Sequence, residues 1–210
     1  LVGKAWDLHV KEVLGTSLEE NLAMVKDSIS YLKDQGKRVF FDAEHFFDGL
    51  RENRDYALAT VRAAADAGAE CVVLCDTNGG TLPSQISDIV TLVRGETPVH
   101  LGIHTHNDAD TAVAGALAAI EAGAIQVQGT INGYGERCGN ANLLSVIANL
   151  KLKLGIECVS QAQLESLTEV SRYVAEVANM PHLPSHPYVG ASAFTHKGGL
   201  HVQAVAKVER

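Results

Sequence analysis

The 210-residue chain is 46% hydrophobic and 20% charged, which is enough apolar material for a packed core and argues against disorder. Its formal charge of −8, with no basic cluster, excludes nucleic acids and anionic membranes as expected partners, because both require Lys/Arg-dense surfaces. No apolar run reaches bilayer length, no signal-peptide pattern opens the chain, and Cys71, Cys75, Cys138 and Cys158 make no Cys-x-x-Cys pair, so reduced thiols and a cytoplasmic setting are expected.

The chain enters directly, without Met, a strand-like segment ending in Trp6-Asp7-Leu8-His9, and it reads as a piece of something longer. Ser17-x-x-Glu20 forms a capping box for a first helix that carries Leu18, Leu22, Val25, Ile29 and Leu32 on one stripe until Gly36 stops it. A strand over 38–44 follows, then a helix from about Arg54 to Ala67, a strand over 70–76 and a helix from about Ser84 to Arg94. A strand from Val99 to His104, an Ala-rich helix to Ala122 and a strand from Ile125 to Gly129 complete the alternation. Asp66-Ala-Gly-Ala69 and Glu121-Ala-Gly-Ala124 repeat one another at helix ends, as duplicated βα units would.

Continuous apolar strands between amphipathic helices imply a parallel sheet, either doubly wound or a (β/α)8 barrel. The barrel is expected because each chemically interesting residue lies just past a strand C-terminus, and no Gly-x-Gly-x-x-Gly follows the first strand. The expected fold class is therefore α/β of the TIM-barrel type. Residues 1–155 form the C-terminal half of the barrel, which includes a helix from about Asn140 to Leu154. Residues 156–190 hold a helix, Ser160 to Asn179, with Leu164, Leu167, Val170, Val174 and Val177 inward, and then an extended proline-rich linker. Residues 191–210 begin a small C-terminal subdomain. Four βα units on their own leave open sheet edges, so pairing with another chain segment or copy is expected.

His104-Thr-His106 at a strand end places two imidazoles on one face, because strand side chains alternate with period two. Two such rings suit a shared divalent metal; the alternative is a pair of hydrogen-bonded polar residues at the mouth of the sheet. Glu44 and Asp42 share a strand face and end near the same mouth. Thr77 offers a hydroxyl there, and His9 lies near the mouth by position.

Together, Phe41-Asp-Ala-Glu-His-Phe-Phe-Asp-Gly49, Asp76-Thr-Asn-Gly-Gly80, His104-Thr-His-Asn-Asp108, Gly135-Glu-Arg-Cys-Gly-Asn140 and Ala193-Phe-Thr-His-Lys-Gly-Gly-Leu-His201 resemble the 2-isopropylmalate, homocitrate and citramalate synthases, metal-dependent barrel enzymes that condense acetyl-CoA with a 2-oxo acid. The Glu44 motif and the wording after Leu200 are most similar to the citramalate branch, which uses pyruvate and serves isoleucine biosynthesis. The resemblance implies that His104, His106 and Asn140 hold a divalent ion (Zn²⁺, Mg²⁺ or Mn²⁺), with a further aspartate ligand and an arginine upstream of Leu1. It implies Glu44 as the base toward acetyl-CoA and Thr77 on the oxo-acid carboxylate; Asp42, by its strand face, either lines the substrate pocket or merely faces the barrel interior. It also implies a homodimer in which His201 enters the neighbouring active site, although Gln203 stands where the family more often has an acid. Glu136 and Arg137 are expected to brace the glycine loop as a local ion pair, Asn107 and Asp108 to fix the strand end and cap the next helix, and Cys138 to have no covalent role. The rival readings are a lyase or aldolase on the same scaffold, and a non-catalytic fragment or regulatory paralogue.

Overall fold

Five short strands pair in parallel in the order in which the chain supplies them: β1 (Val2–Lys4), β2 (Phe40–Glu44), β3 (Cys71–Asp76), β4 (His100–Thr105) and β5 (Gln126–Gln128). This computed structural model describes residues 1–196 and 198–207. They fall into two compact units, Leu1–Val146 and Ile147–Arg210. Helices α1 (Asp7–His9) and α2 (Leu18–Asp34) separate β1 from β2, α3 (Phe46–Glu52) and α4 (Arg54–Asp66) separate β2 from β3, and α5 (Pro83–Glu96) and α6 (Ala112–Glu121) fill the next two connections. Right-handed crossovers between sequentially ordered strands all pass over one face, which builds a barrel wall; a doubly wound sheet would need its strand order to reverse.

Alternation along each strand sorts the side chains. Phe41, Ala43, Val72, Leu74, Leu101 and Ile103 point toward the helices and are fully buried with Val61 and Ala64 of α4, Ile86 and Val90 of α5, and Ala116 and Ala119 of α6. The opposite face carries Lys4, Asp42, Glu44, His104 and Gln128. Gln128 Nε2 donates to Asp42 Oδ1 at 2.8 Å, although β2 and β5 are three strands apart. On a flat sheet that separation is roughly 14 Å, beyond what the two side chains span, so the contact requires a sheet curled toward its polar face.

The first helix follows expectation: Ser17 caps α2 by accepting from Glu20 N at 3.1 Å, and Val25 and Ile29 are buried. The opening strand is shorter than its sequence suggests. It stops at Lys4, and Trp6 O accepts from Val10 N at 3.1 Å to turn the segment through His9 into a helix. Helix α3 was not expected; it starts directly from the strand end at His45.

In the second unit α7 (Leu143–Leu152), α8 (Gln161–Glu165), α9 (Leu167–Val177) and α10 (Gly199–Lys207) are helical; α7 begins within the first unit. The single helix expected from Ser160 breaks at Ser166, whose hydroxyl bonds back to Gln163 O at 2.9 Å. Its apolar stripe is rotated from the expected one: Val170 and Val177 are exposed, and Ser171 and Ala175 are buried. The proline-rich segment folds into turns, with His186 N on Leu183 O and Gly190 N on His186 O, where an extended linker was expected. Among the described residues no helix is long and apolar enough to cross a membrane.

Phe41 is the largest side chain that β2 presses against the helices. Phe41→Ala should cost about 3–5 kcal/mol, read as a lowered urea midpoint with an unchanged slope.

Candidate active site

The loops that follow the C-terminal ends of β2 to β5 converge around His104 and His106. Their Nε2 atoms lie 3.2 Å apart. Two donors about 2.0–2.1 Å from a shared tetrahedral ion sit roughly 3.3 Å from one another, so this spacing suits a common cation. The tautomer of His104 follows from its neighbours. Asp42 can only accept, so the Gln128 amide turns its Nε2 to that carboxylate and its Oε1, 3.0 Å away, to His104 Nδ1. His104 therefore carries its hydrogen on Nδ1 and leaves the Nε2 lone pair bare. Burial, with the adjacent His104 ring adding, holds the His106 imidazole below its ordinary range, which also favours the neutral, ligating form.

Asn140 joins them through the backbone. It forms an antiparallel bridge with His106, and residues so paired have Cβ atoms about 4.5–5.5 Å apart on one face. Its Nδ2 donates to Tyr134 O at 3.1 Å, while its Oδ1 is buried without a hydrogen-bond partner, as is Nδ1 of His106. A buried, unpaired amide oxygen is costly unless something electropositive meets it. Among the described residues no three His, Cys, Asp or Glu side chains gather to hold a metal, so the donor set here is two imidazoles and an amide oxygen. That mixed set suits a borderline divalent cation.

Glycines shape the loop that carries Asn140. Gly139 has φ +93°, and a Cβ there would fall 2.0 Å from Gly133 O; a Cβ on Gly135 would fall 2.0 Å from Asn140 Nδ2. Arg137 bolts the loop to its neighbours. Its Nε and Nη2 lie 2.7 and 2.9 Å from the two oxygens of Asp108, and Nη2 also donates to Thr77 O at 2.7 Å. Glu136, the expected partner, is exposed and only 3.8 Å away, because the fork geometry of guanidinium is better met by Asp108. Asn107 does serve the following helix, accepting from Ala112 N at 3.1 Å.

The remaining candidates lie around this centre. Asp42 is tied to Gln128, so it acts on His104 through one amide. Glu44 faces the same interior but is ion-paired with Lys4, its register partner on β1. One residue beyond the Ala43–Leu74 pair, Glu44 stands in a row with Cys75 and His104, roughly 10 Å from the latter by strand spacing. Cys75 between them is a neutral thiol, since burial pushes it well above the ordinary range. Thr77 Oγ1 accepts from His45 N at 2.9 Å. The side chain of His201 lies outside the described residues.

Sequence reasoning missed Gln128, Lys4, His45 and Asp48. Gln128 had a signal, a polar residue at an inward position in register with His104. His45 Nδ1 lies 3.0 Å from Asp48 Oδ2, and Arg51 and Asn78 also donate to Asp48. Burial alone would raise the Asp48 carboxyl, but the hydrogen bonds from His45, Arg51 and Asn78 outweigh it and hold it below the usual range. His9 stacks on Trp6 at 4.8 Å and meets the His45 ring edge-on at 4.4 Å.

A family model described as HMGL-like matches residues 1–174. The chain is 58% identical over 99% of its length to an (R)-citramalate synthase of Synechocystis sp. and 55% identical over 99% to one of Geobacter sulfurreducens. It spans 39% of the length of each. In fold it is similar to an HMG-CoA lyase of Bacillus subtilis, with a TM-score of 0.75 at 20% identity over 88% of this chain and 64% of the other.

Gly139→Ala should displace the Asn140 loop and release Arg137, read as faster amide exchange over residues 133–140 with the strands still protected. Burial, then the His45 ring and Lys4, keep His9 below its ordinary pKa of 6.5. The folded state thus prefers neutral His9 and the unfolded chain binds the proton more readily, so this contribution to stability is complete above 6.5 and is lost as pH falls toward the folded value. His9→Gln should reduce the slope of unfolding free energy with pH just below 6.5; an unchanged slope would mean that His9 is not part of that dependence.

Proposed function

We propose, since the chain belongs to the HMGL-like family, that it supplies the C-terminal part of the catalytic barrel of a citramalate synthase, which condenses acetyl-CoA with pyruvate to give citramalate and CoA in the cytoplasm. The observation that carries this reading is the imidazole pair with its fixed His104 tautomer beside the unpaired Asn140 oxygen. His104, His106 and Asn140 would hold a divalent cation, which when bound supplies Lewis acidity toward the carboxylate and keto oxygens of a 2-oxo acid. Identity of 55–58% to (R)-citramalate synthases supports pyruvate as the acceptor.

In this reading the residues around the mouth of the sheet divide the remaining work. Glu44, at the end of β2, removes a proton from the thioester methyl group, the resulting carbon nucleophile adds to the keto carbon as the keto oxygen takes the π electrons and a proton, and water then cleaves the thioester to release CoA. Lys4 keeps that carboxylate over the mouth of the sheet until substrate displaces or shares it. Thr77 donates its hydroxyl hydrogen to the oxo-acid carboxylate, since its oxygen already accepts from His45 N. Gln128 and Asp42 hold the His104 ring in its donor orientation. His201 is the second acid–base group in this reading, delivered by the other copy of a homodimer.

In its full-length natural polypeptide the protein should release CoA thiol from acetyl-CoA when pyruvate is added with Mn²⁺ or Zn²⁺, and 2-oxoisovalerate or 2-oxoglutarate should be poorer partners. Preference for either of those would move the assignment to a sister synthase; CoA-ester cleavage without condensation would favour a lyase. His104→Ala should abolish calorimetric Mn²⁺ binding, and Gln128→Leu should weaken it by about 10–100-fold. Unchanged affinity in both variants would remove the metal from the proposal.

A further inference from the structure

His45 occupies an unusual position. It follows directly on β2, and its backbone is left-handed, φ +57° and ψ +32°, a conformation that costs a residue with a Cβ about 1–2 kcal/mol. Glycine would adopt it without that penalty. The histidine ring must therefore contribute something there, and its contacts say what.

The loop after β2 is fastened to the loop after β3 by two hydrogen bonds. His45 N–H donates to Thr77 Oγ1 at 2.9 Å, and Asn78 Nδ2 donates to Asp48 Oδ2 at 2.9 Å. The same Asp48 oxygen takes His45 Nδ1–H at 3.0 Å, and Arg51 Nη2 grips the other at 2.8 Å. Asp48 is thus an anchor for both the His45 ring and the residue that follows Thr77. Trp6 and His9 pack against the other side of the ring, with centroids 5.4 and 4.4 Å away. On its far side Thr77 is held through its carbonyl by Arg137.

A free threonine hydroxyl rotates and serves as donor or acceptor as required. Here the amide of His45 claims a lone pair of Oγ1, which sets the rotamer and leaves the hydroxyl hydrogen for an external acceptor. We infer that His45, anchored by Asp48, is a positioning residue that presents the Thr77 hydroxyl as a fixed donor to the carboxylate of the 2-oxo acid. The inference rests on the condensation reading and deepens it by naming the device that orients one substrate. The left-handed turn is the geometry that lets one residue point its amide at Thr77 and its ring at Asp48.

The test is steady-state kinetics of the full-length enzyme with pyruvate and acetyl-CoA varied separately. Thr77→Val should raise the pyruvate KM roughly 10- to 100-fold, as expected for a lost hydrogen bond to a charged group. His45→Gly keeps the backbone unstrained but removes the anchored ring; it should raise pyruvate KM several-fold, roughly 3–10, and leave acetyl-CoA KM within about twofold. The double variant should be no worse than Thr77→Val, because both changes act on one hydrogen bond. His45→Asn, which tolerates the left-handed region and can still donate to Asp48, should recover most of the loss. Equal rises in both KM values, a wild-type pyruvate KM in His45→Gly, or multiplying effects in the double variant would each overturn the inference while leaving the condensation intact. If the unaltered enzyme released no thiol with any 2-oxo acid, the functional reading and this inference would fail together.

Discussion

The hydrogen bond between Gln128 and Asp42 ties the geometry of the sheet to its chemistry. Polar groups on a half-buried face gain from finding partners, and here the partner of a β2 carboxylate is an amide from β5. The sheet has to curl to bring them together, and the same amide, once its orientation is set by the carboxylate, dictates which nitrogen of His104 is bare. Replacing Asp42 by an apolar residue would free the amide to turn over, and His104 would lose its reason to keep one tautomer. One contact thus reports the curvature of the scaffold and sets which nitrogen of a candidate ligand is bare.

The strand ends are held with comparable economy. His106 and Asn140 are brought side by side by a backbone bridge, Arg137 clamps the glycine loop to Asp108 and Thr77, and Asp48 joins the loops after β2 and β3. Each tie runs between loops that follow different strands, so the site is defined by the register of the sheet. Ties of this kind at the C-terminal ends of the strands lie on the face where barrel folds carry their chemistry.

Much of this was legible in the sequence. The strands are short apolar runs closed by Asp, His or Gly, and the helices between them carry clear stripes, so their alternation pointed to the fold class; His104 and His106 stood out by residue type and spacing, and Asn140 by the resemblance of its glycine loop. The parts that were not legible depend on partners distant in sequence. Nothing local marks Lys4 as the counter-ion of Glu44, which arises from strand register, or Asp108 as that of Arg137, which arises where two loops 29 residues apart meet. Helix α3 was hidden because it starts at a left-handed histidine without a capping side chain. The stripe of α9 misled because Val170 and Val177 are apolar yet exposed, while a buried position is taken by Ser171, whose hydroxyl pairs with His182 at 2.8 Å.

Arg137, on the loop leading to Asn140, gives one guanidinium to two others, those of Thr77 and Asp108, and its own loop cannot shift without losing both bonds. The position of the Thr77 carbonyl and the path of the chain into Asn140 are therefore set together, with a single arginine as the linkage.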